Sequence, residues 1–69
     1  MRRQKFEQKA KELLKKYGHF VVDTGFLTLY ANSYKIEDEA PYEKLFLFWD
    51  GNEIAKIYLF DVDKVGKNE

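Results

Sequence analysis

The residues of this chain that could do chemistry are few, and no motif frames them. His19 is the sole histidine and the chain contains no Cys, which excludes a thiol nucleophile and a thiolate metal site. A histidine base needs an activated nucleophile and an orienting acid, whereas the hydroxyls of Thr24 and Ser33 stand in no such arrangement. There is also no Gly-rich phosphate loop, no GxSxG and no HExxH. We therefore expect a protein that is not an enzyme, with His19 in a structural or surface role.

Acidic residues provide the remaining candidate chemistry. Asp61 and Asp63 flank one valine, so both carboxylates lie on one side of a strand end and could hold Mg²⁺ through oxygen. The run Glu37-Asp38-Glu39 and the segment Asp50-Gly51-Asn52-Glu53 lack the ligand spacing of a calcium loop. We interpret these acids as solvated charges at turns and strand ends, and expect no metal and no cofactor.

An amphipathic helix begins the chain. Its apolar stripe has the 3.6-residue period of one helix face and consists of Phe6, Ala10, Leu13, Leu14 and Tyr17. Gly18 directly after the last lysines is typical of a helix C-terminus.

Beyond Gly18 the pattern changes to a two-residue period that is rich in β-branched and aromatic residues, which predicts strands. The predicted strands are His19–Asp23, Phe26–Ile36, Tyr42–Asp50 and Ile54–Val62. They are joined by a turn at Thr24-Gly25, a loop at Glu37–Pro41 and a turn at Asp50-Gly51-Asn52-Glu53. Short connections favour an antiparallel meander, so we predict an α+β fold in which the helix packs on four strands (αββββ). At 69 residues the chain is one domain, 1–65, followed by a flexible tail, 66–69.

The two faces of the predicted sheet are both apolar. One face, which the helix can cover, is the predicted core: Phe20, Val22, Leu27, Leu29, Ala31, Leu45, Leu47, Trp49, Ala55, Ile57 and Leu59. The opposite face, normally polar in such a sheet, holds eight aromatic residues: Phe26, Tyr30, Tyr34, Tyr42, Phe46, Phe48, Tyr58 and Phe60. A strict two-residue turn at Asp50-Gly51 would shift the last hairpin by one residue, whereas a three-residue loop would keep the two sets separate.

This aromatic face is where we expect the function. The candidate binding residues are Tyr30, Tyr34, Tyr42, Lys44, Phe46, Phe48, Lys56 and Tyr58. A second copy of the chain or another protein could cover the face, since Tyr combines apolar area with a polar tip. Alternatively, a strongly curled sheet, a half-barrel, could cover the aromatic residues itself. A small ligand or nucleotide held between two subunits is a further alternative.

Single-stranded nucleic acid is another candidate occupant, with bases stacked on the aromatic rings and lysines near the phosphates. The charge distribution bears on it: 12 basic and 12 acidic residues balance overall, but residues 1–18 hold seven of the basic residues and two of the acidic ones. The basic arm that would contact phosphates comprises Arg2, Arg3, Lys5 and Lys9.

The longest apolar run, Leu45–Trp49, is five residues, far below the roughly 20 of a membrane span. The basic N-terminal segment lacks the apolar core of a secretory signal. We therefore expect a cytoplasmic protein that does not contact a membrane.

The last hairpin, EKLFLFWDGNEIAKIYLFDVDKV (Glu43–Val65), resembles a recurrent ending of small uncharacterised proteins from phages and mobile elements of Gram-positive bacteria. In those proteins an apolar strand, an acidic Asp/Gly turn and a second strand run into a "DV" or "NV" close. The resemblance covers about a third of the chain and transfers no catalytic residue. It implies a small accessory or host-directed binding protein.

Overall fold

The computed structural model describes residues 1–39 and 41–67, apart from the side chain of Glu39. In chain order these residues form α1 (Arg3–Tyr17), β1 (Phe20–Asp23), β2 (Thr28–Ala31), β3 (Ser33–Glu39), β4 (Tyr42–Trp49), β5 (Asn52–Tyr58), a 3₁₀ turn (Leu59–Asp61) and β6 (Lys64–Gly66). Gly66, placed in the predicted tail, is the last residue of β6, and residues 68–69 of that tail lie outside the described part of the chain.

The predicted helix is confirmed. It ends at Gly18, whose left-handed conformation (φ 78°) lets its N–H donate to the Leu14 carbonyl at 2.9 Å. Phe6 and Ala10 are the fully buried residues of its apolar stripe. The ring of Phe6 meets Phe20 of β1 and Tyr34 of β3 edge-on, with centroids 6.0 and 5.2 Å apart, so α1 contacts strands of two sheets.

The α+β class is confirmed, but the four-stranded meander is wrong. The strands form two three-stranded antiparallel sheets, with orders β2-β1-β6 and β3-β4-β5. The predicted strand Phe26–Ile36 divides at Asn32, where the chain passes from one sheet to the other. The Asn32 side chain is held by Asp50: its amide donates to Asp50 Oδ1 at 2.9 Å and its Oδ1 accepts the Asp50 N–H at 3.0 Å.

The last hairpin has the two-residue turn, but a bulge gives it the separation of the two residue sets that was expected of a three-residue loop. Trp49 pairs with Asn52 across a two-residue turn in which Asp50 (φ 51°) and Gly51 (φ 83°) both have positive φ, as a type I′ turn requires. A bulge then leaves Ile54 unpaired between the Phe48–Glu53 and Leu47–Ala55 pairs. The bulge cancels the one-residue shift, so the inward and outward sets stay separate along most of the hairpin.

The core lies between the two sheets and α1. Its buried residues are Phe6, Ala10, Phe20, Val22, Ala31, Leu45, Leu47, Leu59, Val62 and Val65. Two predicted core residues are exposed instead, because Leu27 lies in the β1–β2 turn and Trp49 lies at the end of β4 beside the β4–β5 turn.

Candidate binding surface

The outward side of the β3-β4-β5 sheet brings together most of the predicted binding residues. Leu45 and Leu47 of β4 point into the core, so their alternating neighbours point outward. The antiparallel register aligns these neighbours in rows across the three strands. We call this side the outer face, and its residues are Ser33, Lys35, Glu37, Tyr42, Lys44, Phe46, Phe48, Glu53, Lys56 and Tyr58.

At the centre of the outer face, the ring of Phe46 lies between the ammonium groups of Lys35 and Lys56. Lys35 and Lys56 are the cross-strand neighbours of Phe46, and their Nζ atoms lie 5.0 and 5.6 Å from its ring centroid. These distances fit cation–π contacts. Lys35 also pairs with Glu37 at 3.2 Å, so both signs of charge are present on the face.

One end of the outer face carries a group of three aromatic rings. Tyr42, Tyr58 and Phe60 have centroids 4.9 to 5.6 Å apart in every pair. They nevertheless remain 50%, 41% and 57% exposed. We call these three residues the aromatic trio. Its rings contact one another rather than the core, which leaves a preformed apolar surface.

A shallow depression of about 220 Å³ adjoins the trio and is lined by Lys44, Lys56, Ile57 and Tyr58. At about 220 Å³, the depression is smaller than the roughly 300–1,000 Å³ that is typical of enclosed pockets for small molecules. Lys44 is itself engaged in a contact within the protein.

Two of the predicted binding residues lie elsewhere. Tyr34 packs against the core, because the break at Asn32 reverses which side chains of β3 point inward. Its hydroxyl donates to Glu7 Oε1 at 3.3 Å. Partial burial, together with the charge and hydrogen bond of Glu7, raises the pKa of Tyr34 above its ordinary value. Tyr30 is exposed, but it belongs to β2 in the other sheet, opposite Val21 of β1.

The predicted basic arm is only partly available. The Arg3 guanidinium contacts three carboxylates: Glu7 at 3.3 Å, Asp38 at 3.0 Å and Glu43 at 3.6 Å. Desolvation acts to lower the pKa of Arg3, but the Asp38 and Glu7 carboxylates raise that pKa above its usual value overall.

The other members of the arm, Arg2, Lys5 and Lys9, are exposed. The Met1 nitrogen donates to the Leu59 and Val62 carbonyls at 3.1 and 3.3 Å. The backbone of Arg2 therefore lies next to the 3₁₀ turn, which contains Phe60.

Among the described residues, the candidate catalytic and metal-binding groups lie on different elements: His19 precedes β1, whereas Asp61 ends the 3₁₀ turn. His19 Nδ1 lies 3.2 Å from the Tyr17 carbonyl at the end of α1. Asp61 and Asp63 are exposed, and within the described residues no group of three or more His, Cys, Asp or Glu could hold a metal ion. None of the helices in this part of the chain is long and apolar enough to cross a membrane.

The β1–β2 turn is a surface that sequence reasoning missed. Phe26 is 96% exposed and Leu27 is 58% exposed at its tip. The available signal was the position of Phe26 and Leu27 directly after Thr24-Gly25, a pair that indicates a turn. The two-residue strand pattern by itself extends to Phe26 and therefore predicts Leu27 to be a core residue.

Comparison with known proteins identifies no relative of this chain. No protein-family model matches the chain, and neither the curated proteins nor the solved structures give a significant match.

Proposed function

We propose that this protein is a non-enzymatic binding module that acts through the outer face of the β3-β4-β5 sheet against a protein, either a second copy of itself or another chain. The observation that carries the proposal is the aromatic trio. Three rings in mutual contact and about half exposed form an apolar surface that soluble proteins usually cover.

The chemistry of the face favours a protein as the occupant. Tyrosines are enriched at protein interfaces because they bury a large ring while the hydroxyl stays hydrated. The lysines at positions 35, 44 and 56 share the face with Glu37 and Glu53, so a partner surface of mixed charge can match it. An accessory or host-directed role, as the resemblance of the last hairpin implies, is part of this proposal, and inhibition of a partner is one form that it can take.

The test compares two tyrosines of similar exposure. Tyr58→Asp places a charge in the trio, whereas Tyr30→Asp places the same charge on the other sheet, where the side chain is 44% exposed compared with 41% for Tyr58. We expect light scattering at micromolar concentration to give a dimer for the wild type and for Tyr30→Asp, and a monomer for Tyr58→Asp. Phe48→Asp should also dissociate the dimer while helix content is preserved.

If the wild type is a monomer, a hydrophobic dye provides the second measurement. The proposal then requires dye fluorescence that Tyr58→Asp lowers and Tyr30→Asp leaves unchanged. A strict monomer that binds no dye would contradict the proposal.

Single-stranded nucleic acid is a second candidate, favoured by the position of Phe46 between Lys35 and Lys56. Bases would stack on the rings while the ammonium groups contact phosphates. This alternative predicts a mobility shift with oligonucleotides that weakens steeply as salt rises. The shift should be reduced in Lys56→Gln, and its absence at low salt would reject the alternative.

A further inference from the structure

Two neighbouring rows of side chains cross the middle of the outer face and carry opposite charges on β3. In the order β3, β4, β5, one row is Lys35, Phe46 and Lys56, and the next row is Glu37, Lys44 and Tyr58. Lys35 and Glu37 form an ion pair within the chain, with Nζ 3.2 Å from Oε2. Their side chains nevertheless remain 57% and 46% exposed, so each can take a second partner from outside the chain.

These rows complement each other when two copies of the outer face meet. A half-turn about an axis that crosses the strands midway between the rows sets each row of one copy over the other row of the second copy, strand over strand. Lys35 of each copy then faces Glu37 of the other, which gives four charges of alternating sign. On β5, Lys56 of each copy faces the ring of Tyr58, an arrangement suited to a cation–π contact.

The same half-turn covers the aromatic trio. Along β4, Tyr42 lies one row beyond Lys44, and Phe48 lies one row beyond Phe46 toward the opposite end of the strand. Phe48 of the second copy therefore comes to lie over Tyr42, whose ring centroid is 4.9 Å from that of Phe60. Aromatic rings that meet in this way bury the large apolar area that each copy exposes alone.

Other two-fold arrangements of the outer face are less favourable. An axis along β4 would set Lys35 over Lys56, and an axis along either central row would set Lys35 over Lys35 or Glu37 over Glu37. Like charges that face each other oppose association. An axis displaced by one row toward either end of the strands would leave half of the face uncovered. Of these arrangements, only the half-turn between the central rows both pairs opposite charges and covers the trio.

We propose that the partner of the outer face is a second copy of this chain, packed face to face in this register. The inference rests on the proposed function and deepens it, because it names one partner and the side-chain pairs that select it. Facing sheets pack about 10 Å apart with their strands rotated by about 30°. The two central rows lie next to the axis, so this rotation displaces their pairs least.

Charge reversal tests the register. Dimerisation of Lys35→Glu would bring four carboxylates together, and dimerisation of Glu37→Lys would bring four ammonium groups together. We expect each variant alone to dimerise about tenfold or more weakly than the wild type. In an equimolar mixture, two carboxylates of one variant face two ammonium groups of the other, so a heterodimer about as tight as the wild-type dimer should form. Sedimentation equilibrium measures the affinities, and native mass spectrometry with one variant isotope-labelled identifies the heterodimer.

Three further variants complete the test. Lys35→Glu/Glu37→Lys in one chain exchanges the two charges and should restore the dimer. Lys64→Glu reverses an exposed charge on β6 of the other sheet and should leave the dimer unchanged. Phe48→Asp should be a monomer. Pairing of two copies through the free edge of β3 would also set Lys35 against Glu37, but it would leave Phe48 outside the contact, so a dimer of Phe48→Asp would overturn face-to-face packing.

The inference is also overturned if the mixture of Lys35→Glu and Glu37→Lys is no more dimeric than either variant alone, or if the wild type stays a monomer. A monomeric wild type that binds a hydrophobic dye, with less binding in Tyr58→Asp, would leave the proposed function standing with a different protein as the partner. A monomer that binds no dye would remove both.

Discussion

The two sides of β4 differ in what covers them rather than in how apolar they are. On the inner side, Leu45 and Leu47 are fully buried against α1 and the other sheet. On the outer side, Phe46 and Phe48 alternate with them, and the neighbours that reach Phe46 are the lysines of β3 and β5. A strand that is apolar on both sides is typical of a buried strand. Phe46 and Phe48 are therefore as apolar as the inner side of β4, but their cross-strand neighbours on the outer face are the polar and charged residues Ser33, Lys35, Glu53 and Lys56.

Truncation on the inner side should have the largest effect on stability. Leu47→Ala leaves a cavity among residues that are closely packed, and we expect it to lower the free energy of unfolding by about 2–5 kcal/mol. The matched control is Ile54→Ala on β5, where the side chain is exposed and unpaired at the bulge. It should cost about 1 kcal/mol or less. Urea denaturation measures both, and equal losses would mean that the inner side is not the core.

Structural features that depend on local sequence patterns were predicted correctly. The helix and its end at Gly18 follow from the spacing of its apolar residues and the glycine after the lysines, and β4 alternates as expected. The break at Asn32 is different, because the β-strand pattern continues through it from Phe26 to Ile36. The break coincides with two hydrogen bonds between Asn32 and Asp50, 18 residues apart, which no local pattern reveals.

The break at Asn32 determines which tyrosines lie on the outer face. Tyr34, after the break, packs against the core, and Tyr30, before it, belongs to the other sheet. Whereas the break removes two tyrosines from the candidate surface, the 3₁₀ turn adds an aromatic residue to it. The turn buries Leu59 and directs Phe60 toward Tyr42 and Tyr58. β6, with three residues, was too short to be recognised from a two-residue period.

Tyr34 offers a test of the inner side that depends on pH. At neutral pH, Tyr34→Phe removes the hydrogen bond to Glu7 and should lower the free energy of unfolding by about 0.5–1.5 kcal/mol. The pKa of Tyr34 is raised in the folded protein, so this stabilisation is fully present below the unfolded-state pKa of about 10. It is lost as the pH rises through the folded-state pKa, because the unfolded chain ionises first.

The measurement is the stability difference between wild type and Tyr34→Phe from pH 8 to pH 11. The difference should shrink above pH 10, where the wild type alone has this ionisation. Glu7→Gln should weaken the pH dependence, since the Glu7 charge contributes to the raised pKa of Tyr34 after burial. A difference that stays constant across the range would place Tyr34 in a hydrated environment like that of the outer face.

The smallest expected effect concerns the outer face itself. If Lys35 contributes through the ring of Phe46, a double-mutant cycle with Lys35→Gln and Phe46→Leu should give a coupling of about 0.5–1 kcal/mol, the range for exposed cation–π pairs. The control cycle pairs Lys35→Gln with Phe48→Leu, whose cross-strand neighbour is Ser33, and should give no coupling. A coupling near zero in both cycles would mean that Lys35 leaves Phe46 free to contact a partner. A measurable coupling would mean that any partner must displace Lys35 first, which would leave the aromatic trio as the readier contact surface on this face.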